Sequence, residues 1–240
     1  KTLREAAMIS DKPVPVVSVI GAGGKTTTIH QLVEEYVQER VPVVVMTTTH
    51  MMQENHPWVC MVEEESDQER VRVYMQKLLS AYDQLWIGSP ARAGKMSQPP
   101  EWCRKEILAR KIPVLIEADG AKRLPLKVPA EHEPVILPQT THVLAVYGMD
   151  SIGRTVEECC CRSELAEKLL GCDGQKRVTT EDIAFFAASN QGGKKGCPAD
   201  AKYVVVLSKA DTEERRQQAL EISRMLSDQR IHRILITSYI

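Results

Sequence analysis

Short β-branched runs alternate with longer stretches whose apolar positions recur every three or four residues, along almost the whole chain. Uninterrupted apolar runs suit parallel strands buried on both faces, whereas the longer period marks helices with one buried face. The pattern predicts strands at 13–20, 41–46, 84–87, 113–118, 141–147, 202–207 and 233–237. Helices are predicted from the glycines after the first strand to about Gln38, and at 67–80, 101–110, 163–170, 180–188 and 213–227. Leu32, Val33, Tyr36 and Val37 form the apolar face of the first helix, and Val71, Met75, Leu78 and Leu79 that of the second. Thr179 or Thr180 caps the helix that follows them. Only residues 119–138, rich in proline and charge, break the rhythm; a loop of that length is usually functional or an insertion. The expected fold class is α/β: a mostly parallel sheet flanked by helices, forming a single domain over 1–240 with a helical insertion on its rim at about 148–200.

Composition narrows the function classes. The chain has 240 residues and is 43% hydrophobic, enough to bury a substantial core. Lys and Arg number 31 against 32 Asp and Glu, and 5% of residues are aromatic, so neither a basic stripe nor a stacking surface for nucleic acid is evident. No apolar stretch approaches the roughly 18 residues of a membrane span. The start Lys1-Thr2-Leu3-Arg4-Glu5 is unlike a secretion signal, and the seven cysteines, most of them lying singly, form no repeating framework, so a cytoplasmic protein is expected. The chain opens without Met and stops directly after an apolar run, as trimmed ends would.

Candidate chemistry begins at Gly21-Ala22-Gly23-Gly24-Lys25-Thr26-Thr27, between a buried strand and a helix. Glycines let successive backbone N–H groups curl around an anion, and the helix N-terminus adds partial positive charge. Lys25, expected to project from the loop, reaches the β- and γ-phosphates of GTP or ATP, and the Thr26 hydroxyl joins a Mg2+ shell. The common pattern G-x-x-x-x-G-K-[ST] wants glycine where Val19 stands, so the outer glycine is Gly21 instead. A glycine-rich turn with a solvated lysine is the alternative.

Glu117 and Asp119 end a neighbouring apolar strand, two residues apart and therefore on one side of a continuing strand. They are the candidates to hold Mg2+ and orient an attacking water or hydroxyl; otherwise one of them caps the strand or pairs with Lys122 or Arg123. Thr47-Thr48-Thr49-His50 ends the second strand on the same edge. Its hydroxyls, Thr48 among them, are candidates for the metal or γ-phosphate, though threonine also simply favours strands. His50 is a substrate-side candidate whose other reading is an ordinary surface histidine. Ser208-Lys209-Ala210-Asp211 resembles the base-reading element of GTPases, in which the aspartate accepts from guanine and the lysine stem lies along the base. Ser208 departs from the usual Asn or Thr, and Asp211 as a helix N-cap is the other reading.

The segments 19–27 (VIGAGGKTT), 46–51 (MTTTHM), 116–134 (IEADGAKRLPLKVPAEHEP), 191–196 (QGGKKG) and 207–211 (LSKAD) resemble the YqeC family of selenium-dependent molybdenum-hydroxylase accessory proteins. The resemblance implies a P-loop fold and a role in maturing a selenium-containing molybdenum cofactor, with hydroxylase or selenium-donor proteins as partners. It also implies that Lys122, Leu124, Pro125, Lys127, His132 and Glu133 line a substrate side; by their residue types alone they form a charged, proline-stiffened surface loop. Cys159-Cys160-Cys161-Arg162 departs from the family's His-Arg pair. Three adjacent thiols raise metal or chalcogen binding against ordinary partly buried cysteines, and Arg162 is an anion-binding candidate on either reading. The functions in view are a GTP or ATP hydrolase, a small-molecule kinase or nucleotidyltransferase, and a nucleotide-switched chaperone without turnover.

Overall fold

The computed structural model of the protein describes residues 1–10, 12–227, 229 and 231–238. At its centre lies strand β1 (Val16–Gly21), whose residues are buried up to Ile20. It begins at Val16 rather than at Pro13 because Pro13 and Pro15 have no N–H to give a ladder on a central strand. Helix α1 (Leu3–Ala6) precedes it and α2 (Lys25–Gln38) follows it. β2 (Val43–Thr47) leads into two three-residue strands that the hydrophobic pattern does not mark, β3 (His50–Met52) and β4 (Val59–Met61). Next come α3 (Gln68–Tyr82), β5 (Gln84–Pro90), a short β6 (Lys95–Ser97), α4 (Glu101–Ala109) and β7 (Val114–Glu117). The segment predicted as a long loop contains β8 (Leu126–Lys127), and β9 (His142–Gly148) follows.

The predicted helical stretch holds a 3-10 turn (Met149–Ser151), α5 (Val156–Cys159), α6 (Ser163–Leu170) and α7 (Thr180–Ala188). It also carries β10 (Cys160–Cys161), paired in parallel with β8 as a separate small sheet. β11 (Lys202–Ser208), α8 (Glu213–Met225) and β12 (Arg233–Ile236) complete the chain.

The main sheet runs β12-β11-β9-β1-β7-β2-β5-β6-β3, with β4 also on β5. Every pairing from β12 to β4 is parallel, and only the β5–β6–β3 end is antiparallel. After β1 the chain builds outward to β5, returns to place β7 beside β1, then crosses to the other side with β9. The order therefore reverses at β1, and open α/β sheets bind ligands at the carboxyl ends of strands at such a switch point.

Alternate strand residues feed two cores. Val44 and Met46 of β2 belong to one, with Met75 of α3, Ile107 of α4, Ile183 of α7 and Ile222 of α8. Val43 and Val45 belong to the other, with Leu3 of α1 and Ile29, Leu32 and Tyr36 of α2. Glu35 on the buried side of α2 is explained by α1: its carboxylate accepts the Leu3 amide at 2.6 Å and the Arg4 amide at 2.9 Å, satisfying donors a helix start leaves open.

Gly21 closes β1 with φ +88°, and a Cβ there would run into the Val146 carbonyl oxygen of β9. Gly94 also has a positive φ, +65°, but open space where its Cβ would stand. Gly21→Ala is expected to lower unfolding free energy by about 3 kcal/mol and Gly94→Ala by about 1 kcal/mol, read by urea denaturation. Equal losses would show that backbone conformation alone, and not the neighbouring strand, demands the glycine.

Candidate functional site

The glycine-rich loop sits at the carboxyl edge of the sheet. β1 persists through Gly21 and α2 starts at Lys25, so the turn is compressed into Ala22, Gly23 and Gly24. That geometry accounts for the missing glycine at Val19: it lies inside the ladder, paired with Leu144 and Glu117, and the chain first needs a positive φ at Gly21. Gly23, at φ +81°, sits where a Cβ would come within 2.6 Å of Gly148 and 2.7 Å of the Pro125 carbonyl oxygen. Among the described residues, the backbone amides of Gly23, Gly24, Lys25, Thr26 and Thr27 meet no acceptor. They form the open N-terminus of a 14-residue helix.

Lys25 does not project from the loop, contrary to the sequence expectation. It lies in the first turn of α2 with 6% exposure, donating to the Gly21 carbonyl at 2.8 Å and facing Asp119 Oδ1 at 3.1 Å. Burial works against its charge, but Asp119 and then Glu117 outweigh burial and hold its pKa above that of a free lysine. Asp119 Oδ2 accepts the Gly21 amide at 3.0 Å. Thr26, exposed at the loop's rim, donates its hydroxyl to Glu117 Oε2 at 3.2 Å. Burial, the largest influence, pushes the Glu117 carboxyl up, and Asp119 adds to this against Lys25 and the Thr26 hydroxyl. β7 ends at Glu117, though the Ala118 amide still donates to the Val19 carbonyl of β1, and both acids meet the glycine loop from this strand end.

The pairing of an acid with Lys122 or Arg123 does not occur. Both residues are exposed, lie at φ +49° and +61°, and line a cleft of about 660 Å3 together with the glycine loop, Glu117 and Lys209. Asp119 turns instead to Lys127, whose Nζ is 3.3 Å from Oδ2. Lys127 is thus no surface residue: its side chain is 1% exposed and reaches Glu133 Oε2 at 2.8 Å. Glu133 Oε2 in turn meets Arg162 Nη2 at 3.1 Å. Burial disfavours the Glu133 anion, but the Lys127 hydrogen bond and charge, the Ala130 amide and Arg162 prevail and hold its pKa below the ordinary glutamate value. An unbroken chain of ion pairs, Lys25–Asp119–Lys127–Glu133–Arg162, therefore runs from the loop into the α5–α6 region.

Other candidates fall in different places. Thr48 is buried, and its hydroxyl donates to the Val135 carbonyl at 2.7 Å, fastening β2 to the 119–138 segment instead of facing the cleft. Thr47 likewise donates to the Glu117 carbonyl at 2.8 Å. His50 is exposed on β3 and lines the cleft, whereas His132 is exposed and lies outside it. Cys159, Cys160 and Cys161 are buried, not partly exposed. Arg162 Nη1 points to Cys161 Sγ at 3.6 Å, and no group of three metal-ligating side chains occurs among the described residues. Lys209 lines the cleft beside Gly23 and Gly24 with its ammonium 2.7 Å from Asp150 Oδ2, and the Ser238 hydroxyl donates to Asp211 at 2.9 Å. Asp211 does not cap α8; Thr212 does. Arg92, Lys95 and Asp150 escape sequence reading, because their charge acquires meaning only from what the fold sets beside it.

Fold and cleft define an α/β protein that carries a glycine-rich strand-to-helix loop at the carboxyl edge of a mostly parallel sheet. The chain belongs to the YqeC family, whose model, described as YqeC protein, matches residues 17–164. It is 28% identical over 204 residues to a protein of Escherichia coli (strain K12) named Uncharacterized protein YqeC, covering 81% of this chain and 76% of that one. No solved structure matches. The matched residues take in the whole ion-pair chain from Lys25 to Arg162 and leave Lys209 and Asp211 outside. No helix among the described residues is long and apolar enough to cross a membrane.

Two predictions follow from the burial of these charges. Lys127→Met takes a shared buried ammonium from two carboxylates, leaving Asp119 with Lys25 and the Gly21 amide and Glu133 with Arg162. It should cost about 3 kcal/mol of stability, against less than about 0.5 kcal/mol for Lys122→Met, measured by chemical denaturation. Similar values for the two lysines would rule out the ion-pair chain. For Glu117, a raised folded pKa means that the fold binds the proton more tightly than the unfolded chain. Its contribution is present at low pH and lost as pH rises through the folded value. Glu117→Gln should therefore melt a few degrees above wild type at pH 7, with the gap closing as pH falls through that value.

Proposed function

We propose that this protein binds a nucleoside triphosphate with Mg2+ at residues 21–27 and hydrolyses it while serving the maturation of a selenium-containing molybdenum cofactor. The observation that carries the binding is the run of unpartnered amides from Gly23 to Thr27, ending a loop that a buried ammonium and two acids enclose. Open amides at a helix N-terminus with a lysine beside them suit a polyphosphate. The Thr26 hydroxyl and the Glu117 carboxylate supply hard oxygen donors 3.2 Å apart, which fit Mg2+. Bound there, the ion would neutralise charge on the terminal phosphates and offset the burial of Glu117.

In this reading the amides grip the phosphates from below, and Lys25 is held ready by Asp119 and the Gly21 carbonyl. Phosphate oxygens compete with Asp119 for the Lys25 ammonium. Asp119 keeps Lys127 and the Gly21 amide and so is not stranded. Glu117 or Asp119 orients the attacking water. Asp211 and Lys209 receive guanine: Lys209 already reaches into the cleft, and the Asp211 carboxylate accepts donors from N1 and N2 of that base. The cofactor-maturation role, and hydroxylase or selenium-donor proteins as partners, rest on family membership.

Calorimetric titration of GTP, ATP and CTP with Mg2+ tests the reading. Thr26→Ala, at an exposed position, should weaken triphosphate binding at least tenfold in Mg2+ while leaving the protein folded, with the melting temperature lowered by no more than the loss of its bond to Glu117. Lys25→Ala should abolish binding. Because Lys25 is buried and paired, its variant needs a parallel melt to separate lost binding from lost fold. Asp211→Ala should cost GTP about tenfold and leave ATP unaffected. Undiminished triphosphate affinity in both loop variants would overturn the assignment.

A further inference from the structure

Beyond the glycine loop the cleft continues into a second one of about 740 Å3. The two share His50, Lys95, Gly120 and Lys122 in their walls, so the second begins where the first ends. Its charge is one-sided. Arg92, Lys95, Lys122 and Arg162 line it, and Glu133, the sole lining acid among the described residues, is already engaged by Lys127 and Arg162. A concave surface bearing four permanent cations and one neutralised carboxylate concentrates anions. Thr49 lines it too, and its hydroxyl oxygen is buried with no hydrogen-bond partner among the described residues. Buried hydroxyls ordinarily find partners, and one left open in the wall of a cleft is placed to bond a ligand. Arg162, at φ +68°, is held in place by its ion pair to Glu133 and its contact with Cys161.

We propose that this second cleft binds a small molecule bearing a phosphate or carboxylate group, lying beside the nucleotide as a co-substrate. The word co-substrate rests on the nucleotide reading above, whereas the oxyanion site itself does not. The cations hold the oxyanion, Thr49 bonds one of its oxygens, and Arg162 is the guanidinium donor. The shared wall places this molecule next to the end of the loop that grips phosphate.

The test is calorimetric titration of inorganic phosphate and, separately, citrate into the full chain, both nucleotide-free and saturated with Mg2+ and a non-hydrolysable GTP analogue. Saturable binding with a Kd of about 1 mM or tighter is expected with the analogue in place, since the loop is then filled. Phosphate winning over citrate identifies a phosphorylated ligand, and the reverse a carboxylate. Arg92→Glu and Arg162→Gln should each weaken this binding about tenfold and change nucleotide affinity less than about twofold. Arg92 is exposed, so its variant tests the site even if Arg162→Gln disturbs the fold through Glu133. The proposal is overturned if neither anion saturates, if Arg92→Glu leaves binding intact, or if Thr26→Ala instead abolishes binding to the nucleotide-free protein. Should the analogue itself fail to bind, the nucleotide reading falls. The Arg92→Glu effect on the nucleotide-free chain then still decides the oxyanion site.

Discussion

Asp119, with 2% exposure, holds two lysine ammonium groups and the amide that begins the glycine loop. The geometry around it depends on that threefold grip. One carboxylate oxygen fixes where β1 ends, and the other meets the lysine that starts α2. Lys127 ties the same acid to the proline-rich segment and, through Glu133, to Arg162. Buried ion pairs add little net stability, since desolvation cancels most of the attraction, but removing one member is expensive. Such a network therefore specifies an arrangement more than it strengthens the fold. It explains why an otherwise irregular stretch of chain follows a fixed course across the sheet edge.

The same network explains how the segment 119–138, whose regular structure is limited to the two residues of β8, keeps a fixed course. Its backbone groups are met one by one: the Thr48 hydroxyl reaches the Val135 carbonyl, the Val135 amide the Ala118 carbonyl, and the Pro125 carbonyl accepts from Gly148. Close approach of Gly23 to Pro125 and Gly148 locks the glycine loop, this segment and β9 together. The loop is thus a packed part of the sheet edge, with only its amide face left open.

Much of this is legible in the sequence. The apolar runs locate the seven parallel strands of the long pattern to within a few residues, and α6 and α7 to the residue, because burial on both faces leaves an unmistakable imprint. The strands β3, β4 and β6 leave none: three residues with one buried position carry too little periodicity to stand out. The site is legible in residue type but not in partnership. Glu117, Asp119 and Lys25 announce themselves by position, yet Lys127 and Lys122 look alike in the chain. Only the fold sets one in the core and the other in water. Thr48 misleads for the opposite reason, since a strand-end hydroxyl is equally suited to a ligand and to a neighbouring carbonyl. The pairing of Arg162 with Glu133 spans a separation that no local pattern encodes.

One strand has a divided allegiance. β5 pairs with β2 and β4 along most of its length, but its last residues, Ser89 and Pro90, turn to β6. The β6–β3 ribbon, bearing His50 and Lys95, therefore joins the sheet through only a short antiparallel overlap. One wall of the cleft belongs to the deeply packed parallel core and the other to a thin ribbon with alternate residues in water. An element tied on by so short an overlap and half in water belongs to the low-stability end of a fold, whereas β1 and β7 lie at the buried centre of the sheet. On the reading proposed above, a ligand would come and go past a yielding wall while the surface that orients it stays rigid.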